Sequence, residues 1–245
     1  MKNQLLHISP HFIELNTASS SYRLPIVIRK HPSSRRITLR FQPLHHSLTL
    51  TLPRYVSIKQ GLDFIEQKRK WIERQVDETL QQLPFENGAM VPVLGREYRI
   101  RHIGGRGLVA IAGDEIHVPG ELEFLPRRVR DWLKQEARTR LGEYARQQAA
   151  LLDKRIRSVS VRDTTSRWGS CSHNGSLSFS WRLILAPQNI FDYVVSHEVA
   201  HLIEFNHSAR FWQIVARLHP DYQAAEYWLS RHGPGLYGYG SNIRD

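Results

Sequence analysis

Residues 197–207 read HEVAHLIEFNH. His197 and His201 stand four apart, so on a helix both imidazoles project from one face. Two neutral imidazoles at that spacing suit Zn²⁺, which takes His nitrogen at about 2.0–2.1 Å. Glu198 is the next residue round the helix and reaches a water at the metal without taking a ligand position, the HExxH arrangement. A catalytic zinc site needs a third protein ligand and an open fourth position. His207 supplies that ligand only if the helix stops. An uninterrupted helix would carry it about 15 Å along the axis from His197 and turn it by about 80°. The helix is therefore expected to end near 203–205, with Asn206 in a left-handed conformation reversing the chain.

Working outward, a helix is expected over 187–204, with Pro187 near its start. Ser208 caps a second helix through about 218, and Pro220-Asp221 opens a third that ends near Gly233. The tail GPGLYGYGSNIRD (233–245) is Gly-rich and reads as loose or wrapped over the surface. Upstream, RIRSVSV (156–162) and SLSFSWR (176–182) alternate as strands do, and Asn174-Gly175 between them signals a turn. A long helix fills about 126–152, with Pro126 in its first turn and Val129, Leu133, Ala137, Leu141 and Tyr144 on one face. MVPVLGREYRI, GLVAIAG and DEIHVPG form a strand-rich stretch before it. Ser57 caps a helix over 57–82, and residues 22–52 alternate as three more strands. No internal repeat is evident.

The fold class is therefore α+β: a strand-rich N-terminal region over 1–120 with one helix, a catalytic region over 121–233 with a small sheet packed on helices, and a Gly-rich tail over 234–245.

Composition sets further bounds. The 245 residues carry a formal net charge of +11 and a single cysteine, Cys171, which excludes an internal disulfide. No signal-like start and no run of about 18 apolar residues is present, so no membrane partner and a cytoplasmic location are expected. Residues 1–55 carry eight Lys/Arg against one acid, and 124–158 carry ten against four. A polyanion, nucleic acid or nucleotide, is one partner such segments attract, and a solvated basic surface is the other reading. Residues 190–232, around the histidines, carry three bases against five acids.

The His201-to-His207 spacing equals that of the metzincin signature HExxHxxGxxH. Glu204 occupies the Gly position, however, and no Met follows the motif, so the pattern departs from that family. A longer match lies elsewhere. TTSRWGSCS (164–172), LSFSWRLILAP (177–187), FDYVVSHEVAHLIEFNHSARFW (191–212) and HPDY (219–222) together resemble the YgjP-like metallopeptidase family, also called the domain of unknown function 45. The related WLM-type metalloproteases share HExxHxxxxxH. The resemblance implies a compact gluzincin-like core, with an active helix, a small sheet at its side and helices behind. It implies His197, His201 and His207 as metal ligands and Glu198 as the catalytic residue.

The expected chemistry is hydrolysis of a peptide or protein substrate, with Glu198 as general base on metal-activated water. Zinc is the expected ion, and Ni²⁺ or another divalent ion also suits imidazole. Arg167, Tyr193, Tyr222 and Tyr227 are candidates for a second electrophile. RWGSC (167–171) either pairs its backbone with a peptide, with Arg167 and Trp168 lining the cleft as substrate-binding residues, or is a structural turn with Trp168 buried. Cys171 either touches the metal as a thiolate or is an inert buried thiol. His45, His46, His102, His117 and His173 have no ligand spacing. Two rival readings stand beside this one. The same chemistry could attack phosphoanhydrides such as nucleoside triphosphates, although GGRG (104–107) is no P-loop. A nucleic-acid-associated protease acting on DNA-bound protein would use the basic segments.

Overall fold

The structure is a computed structural model that describes residues 11–16, 21–42, 47–80, 82–164, 167–241 and 243. His45 and His46, and parts of the basic segment 1–55 and of the tail, lie outside the described residues. The architecture is mixed α+β, with strand-rich sheets followed by helices. No described helix is long and apolar enough to cross a membrane.

The chain divides into two compact units, Met1–Gln81 and Gln82–Asp245. In the first, β1 (His11–Asn16), β2 (Ser21–Lys30), β3 (Thr38–Gln42) and β4 (Ser47–Leu52) form a sheet in the order β1-β2-β4-β3. Strict alternation along β4 sends Leu48, Leu50 and Leu52 inward. Two helices, α1 (Ile58–Gln67) and α2 (Arg69–Leu80), add Ile65, Ile72 and Val76 to the same core. Ser57 and Gln60 close a capping box at the start of α1. Gly61 lies so close to the sheet that a Cβ there would stand 2.8 Å from the methyls of Leu50 and Leu52. The expected single helix over 57–82 is thus two. Lys68 leaves helical dihedrals (φ −98°, ψ 7°), and its N–H bonds Ile65 O at 3.0 Å. No Gly or Pro marks this break in the sequence.

The second unit opens with β5 (Met90–Val93), β6 (Arg96–His102), β7 (Ala110–Ala112) and β8 (Glu115–Val118), in the order β5-β6-β8-β7. Order and strand senses repeat those of the first sheet: an antiparallel hairpin, a parallel crossover and an antiparallel return. The expected division at residue 120 and the observed one at 81/82 differ for a physical reason. Val91, Val93, Ile100, Ile116 and Val118 share one core with α3 (Leu125–Ala150) and everything after it. Leu94, at φ 52°, ties the β5–β6 turn to this core through its N–H, 2.8 Å from Ile184 O.

The α3 face is the expected one, with Val129, Leu133, Ala137 and Leu141 fully buried. Beside it, β9 (Ser158–Arg162), β10 (Gly169–Cys171) and β11 (Ser176–Ser180) form a sheet in the order β10-β11-β9, with β9 parallel and β10 antiparallel to β11. A buried 3-10 turn, Trp181–Leu185, leads into α4 (Gln188–Ala200), followed by α5 (Ala209–Leu218) and α6 (Tyr222–His232).

The tail is not loose through residue 239. A 3-10 turn at Gly233–Tyr237 buries Leu236 and Tyr237. Arg182 holds it: Nη1 donates to Leu236 O (3.0 Å) and Tyr239 O (3.1 Å), while Nε and Nη2 bind both oxygens of Asp163 (2.9 and 3.2 Å). Arg182 is buried while Asp163 keeps one side to solvent, so the guanidinium is the member whose bonds the tail depends on.

Candidate metal centre

The site is built on α4. Ile190, Phe191, Val194, Val195 and Val199 bury its apolar faces, which leaves His197, Glu198 and His201 turned to a cavity of about 400 Å³. The helix ends at Ala200, earlier than expected, and His201 is its C-cap. Residues 201–203 continue as tight turns, with the N–H groups of Leu202 and Ile203 bonding Val199 O and Ala200 O at 3.0 Å. Asn206 takes no left-handed conformation. Its side chain makes the reversal instead, Oδ1 accepting from Ser208 N at 2.9 Å. Ser208 then caps α5 through Phe211 N. His207 is thereby pinned between the reversal and the start of the next helix.

His197, His201 and His207 bring ring nitrogens within 4.8 Å of one another, and among the described residues they are the group that could hold a metal ion. His201 Nδ1 lies 2.9 Å from Glu204 O; a carbonyl only accepts, so the proton sits on Nδ1 and Nε2 keeps its lone pair. Glu204, which fills the metzincin Gly position, thus contributes through its backbone. Nε2 of His207 faces Nε2 of His197 at 3.2 Å, a separation at which two ring nitrogens share a proton or a cation. Tyr193 Oη lies 3.5 Å from His197 Nδ1. Burial, then the neighbouring imidazoles His201 and His207, push His197 down to about 3, and burial also lowers His201. Both are neutral at pH 7, the state a metal ligand needs. The donor set therefore fits a divalent ion.

Aromatic rings back the cluster. Phe211 is fully buried and stacks on His201 at 4.5 Å; Trp212 stacks on His207 at 5.8 Å and on Tyr222 at 5.1 Å. This packing limits the rotamers of the imidazoles before any ion binds.

Glu198 is 7% exposed. Burial pushes its carboxyl up to about 8, and the Arg167 charge works in the opposite direction. Across the cavity runs β10. A Cβ on Gly169 would fall 2.5 Å from Glu198 Cγ and 2.6 Å from Oε1, so only glycine leaves this carboxylate its place. β10 is an edge strand. Ser180 N donates to Trp168 O (2.8 Å) and Ser172 N to Ser176 O (3.0 Å). By alternation, the N–H and C=O groups of Gly169 and Cys171 point away from β11, toward the free edge.

The remaining expected residues separate. Arg167, Trp168 and Tyr193 line the cavity. Trp168 is half-buried, with its ring 5.4 Å from that of Tyr237 and its edge against Gly233. Tyr222 and Tyr227 do not line it; Tyr227 is 63% exposed. Cys171 lines the cavity, and burial followed by the Glu198 charge pushes its thiol up to about 11, so it carries its proton at neutral pH. His102 meets Gly120 O, His117 pairs with Glu115, and His173 packs on Phe205 at the cavity's lining; none of them belongs to the three-histidine group. Sequence reasoning offered RWGSC as backbone that could pair with a peptide, with a turn as the other reading, and the structure makes 169–171 a strand; it missed the role of Gly169, for which the small-residue run GSC beside Trp168 was the one available signal.

The model of one family, YgjP-like, metallopeptidase domain, matches residues 35–232, from ahead of β3 to the last residue of α6. The chain belongs to that family. Membership implies a divalent metal and a peptide or protein substrate. Comparison with curated proteins and with solved structures gives no match.

Proposed function

We propose that this member of the YgjP-like family is a zinc metallopeptidase in which His197, His201 and His207 hold the ion and Glu198 is the general base. The observation that carries this reading is the meeting of three ring nitrogens within 4.8 Å in the same cavity as a buried carboxylate. Three imidazoles with no thiolate favour zinc, and Ni²⁺ is the nearest substitute. The packing of α4 against β10 of the small sheet and against α3, α5 and α6 supports a gluzincin-like core.

When bound, the ion supplies Lewis acidity, acidifying water and polarising an attacked carbonyl. The chain's own residues do the rest. Glu198 accepts a proton from the attacking water at a carboxylate oxygen and delivers it to the leaving amine nitrogen. Burial raises its basicity, and the charge of an ion held by the three histidines would favour the ionised carboxylate that the exchange needs. The Tyr193 hydroxyl orients His197 through Nδ1. The free N–H and C=O groups of Gly169 and Cys171 hold the substrate backbone as an added strand. Arg167 and Trp168 flank it, and Arg167 is the nearest cationic group for a developing oxyanion.

The test is cleavage of casein and of quenched fluorescent peptides by zinc-loaded protein, beside Glu198→Gln. The variant should keep its zinc and lose about 10²–10⁴-fold in kcat. Full activity in that variant would remove the general-base role. Phosphate release from nucleoside triphosphates that vanishes in His201→Ala, without peptide cleavage, would transfer the site to the phosphohydrolase reading.

A further inference from the structure

The three-stranded sheet beside α4 has two chemically different faces. Gly169, Cys171, Leu177 and Phe179 share the face that carries Gly169 against Glu198. The register puts Ser170, Ser178 and Ser160 side by side on the opposite face, with Arg162 at its end. On that side lies a second cavity of about 380 Å³, lined by Arg162, Arg167, Thr164, Ser160, Ser170 and Ser178 among others. It shares Arg167, Gly169, Ser170 and Cys171 with the metal-site cavity, so the two meet along β10.

Neither guanidinium has a carboxylate at ion-pair distance among the described residues. The one acid next to them in sequence, Asp163, has both oxygens engaged by Arg182. The recess is therefore cationic and hydroxyl-rich with no acidic residue in its lining, while Arg167 also faces Glu198 in the adjoining cavity. A peptide laid on the free edge of β10 would alternate its side chains with period two. One set would face Glu198, and the residues between them would hang over the serine face.

We propose that this recess is a specificity subsite for an acidic side chain of the polypeptide substrate. The carboxylate of an Asp or Glu would be held by Arg162 and Arg167 with serine hydroxyls as further donors. The inference rests on the peptidase reading and adds the substrate class: acidic polypeptide segments, cleaved next to a residue whose alternate neighbours are Asp or Glu.

The experiment uses zinc-loaded full-length protein and three quenched peptides that differ only in carrying Glu, Gln or Lys at alternate positions around one cleavable bond. Wild type should cleave the Glu peptide with kcat/KM about fivefold above the Gln peptide, the scale of one partly exposed ion pair, and disfavour Lys. The Glu/Gln ratio should fall toward one in Arg162→Ala, through KM rather than kcat, should recover in Arg162→Lys, and should shift toward the Lys peptide in Arg162→Glu. Equal kcat/KM for all three peptides in wild type, or ratios that Arg162 variants do not move, would overturn the subsite. The same peptides, labelled and titrated into Glu198→Gln by anisotropy, separate the two readings. A Glu preference in binding with no cleavage by wild type sinks the peptidase and keeps the subsite. Cleavage with no Glu preference sinks the subsite and keeps the peptidase.

Discussion

Two walls of one cavity, α4 and β10, are specified in opposite ways. On α4 the site is written in side-chain identity: His197, Glu198 and His201 within a turn and a half, with His207 brought back by the reversal at Asn206 and Ser208. On β10 it is written in an absence, because Gly169 contributes the room for Glu198 and the backbone that Cys171 extends. A helix satisfies its own backbone bonds, so only its side chains are free for chemistry. An edge strand leaves half of its backbone groups unpaired and can recognise a chain with no particular side chain at all. The difference predicts that substitutions on α4 remove chemistry, while substitutions on β10 act by volume.

The largest expected effect is His201→Ala. One of the three proposed ligands goes, and zinc content should drop from about one ion per chain to a small fraction after dialysis, with activity lost alongside. Retention of a full equivalent of zinc would mean that α4 is not the metal wall. Next is Gly169→Ala. The glycine is not at a positive φ, so the backbone accepts alanine and the collision with Glu198 is the sole objection. We expect zinc retained, circular dichroism unchanged and kcat lowered by about 10²-fold, the scale of an ångström's misplacement of a reacting group. Wild-type kcat in this variant would contradict the volume argument. The smallest is Cys171→Ser. Cys171 is not among the residues whose donor atoms meet at the metal centre, so zinc content should hold and kcat/KM should stay within about twofold; in the metal-free chain its thiol stays protonated. The same property makes alkylation of the metal-free protein slow at pH 7 and faster as pH climbs toward about 11. A rate independent of pH over that range would contradict it.

The same contrast explains what could be read from the amino acids alone. The meeting of the three histidines beside Glu198 was legible because a helix fixes angular positions at known spacing, and because His207 reaches the others only if the chain reverses. The means of reversal was not legible: a left-handed Asn206 and an asparagine side chain bonding Ser208 N look alike in sequence. Strands of β2, β4 and β11 followed from alternation, and α3 from its four-residue apolar steps. The break at Lys68 carries no Gly or Pro, so nothing local announced it. β10 spans three residues, too short for a period to emerge. The boundary at 81/82 depends on which core Val91 and Ile100 join, a tertiary choice that local patterning does not contain. The matching strand orders of the two four-stranded sheets likewise leave no trace as a sequence repeat.

The central claim is that one divalent ion sits among His197, His201 and His207 beside Glu198. A crystal structure of the zinc-loaded protein, with anomalous diffraction recorded above and below the zinc edge, tests it most directly. One strong peak is expected about 2.0–2.1 Å from a nitrogen of each of the three imidazoles, in the cavity that Glu198 and Gly169 line. A peak elsewhere on the chain, or none at these histidines in protein that carries a full equivalent of zinc, would contradict it.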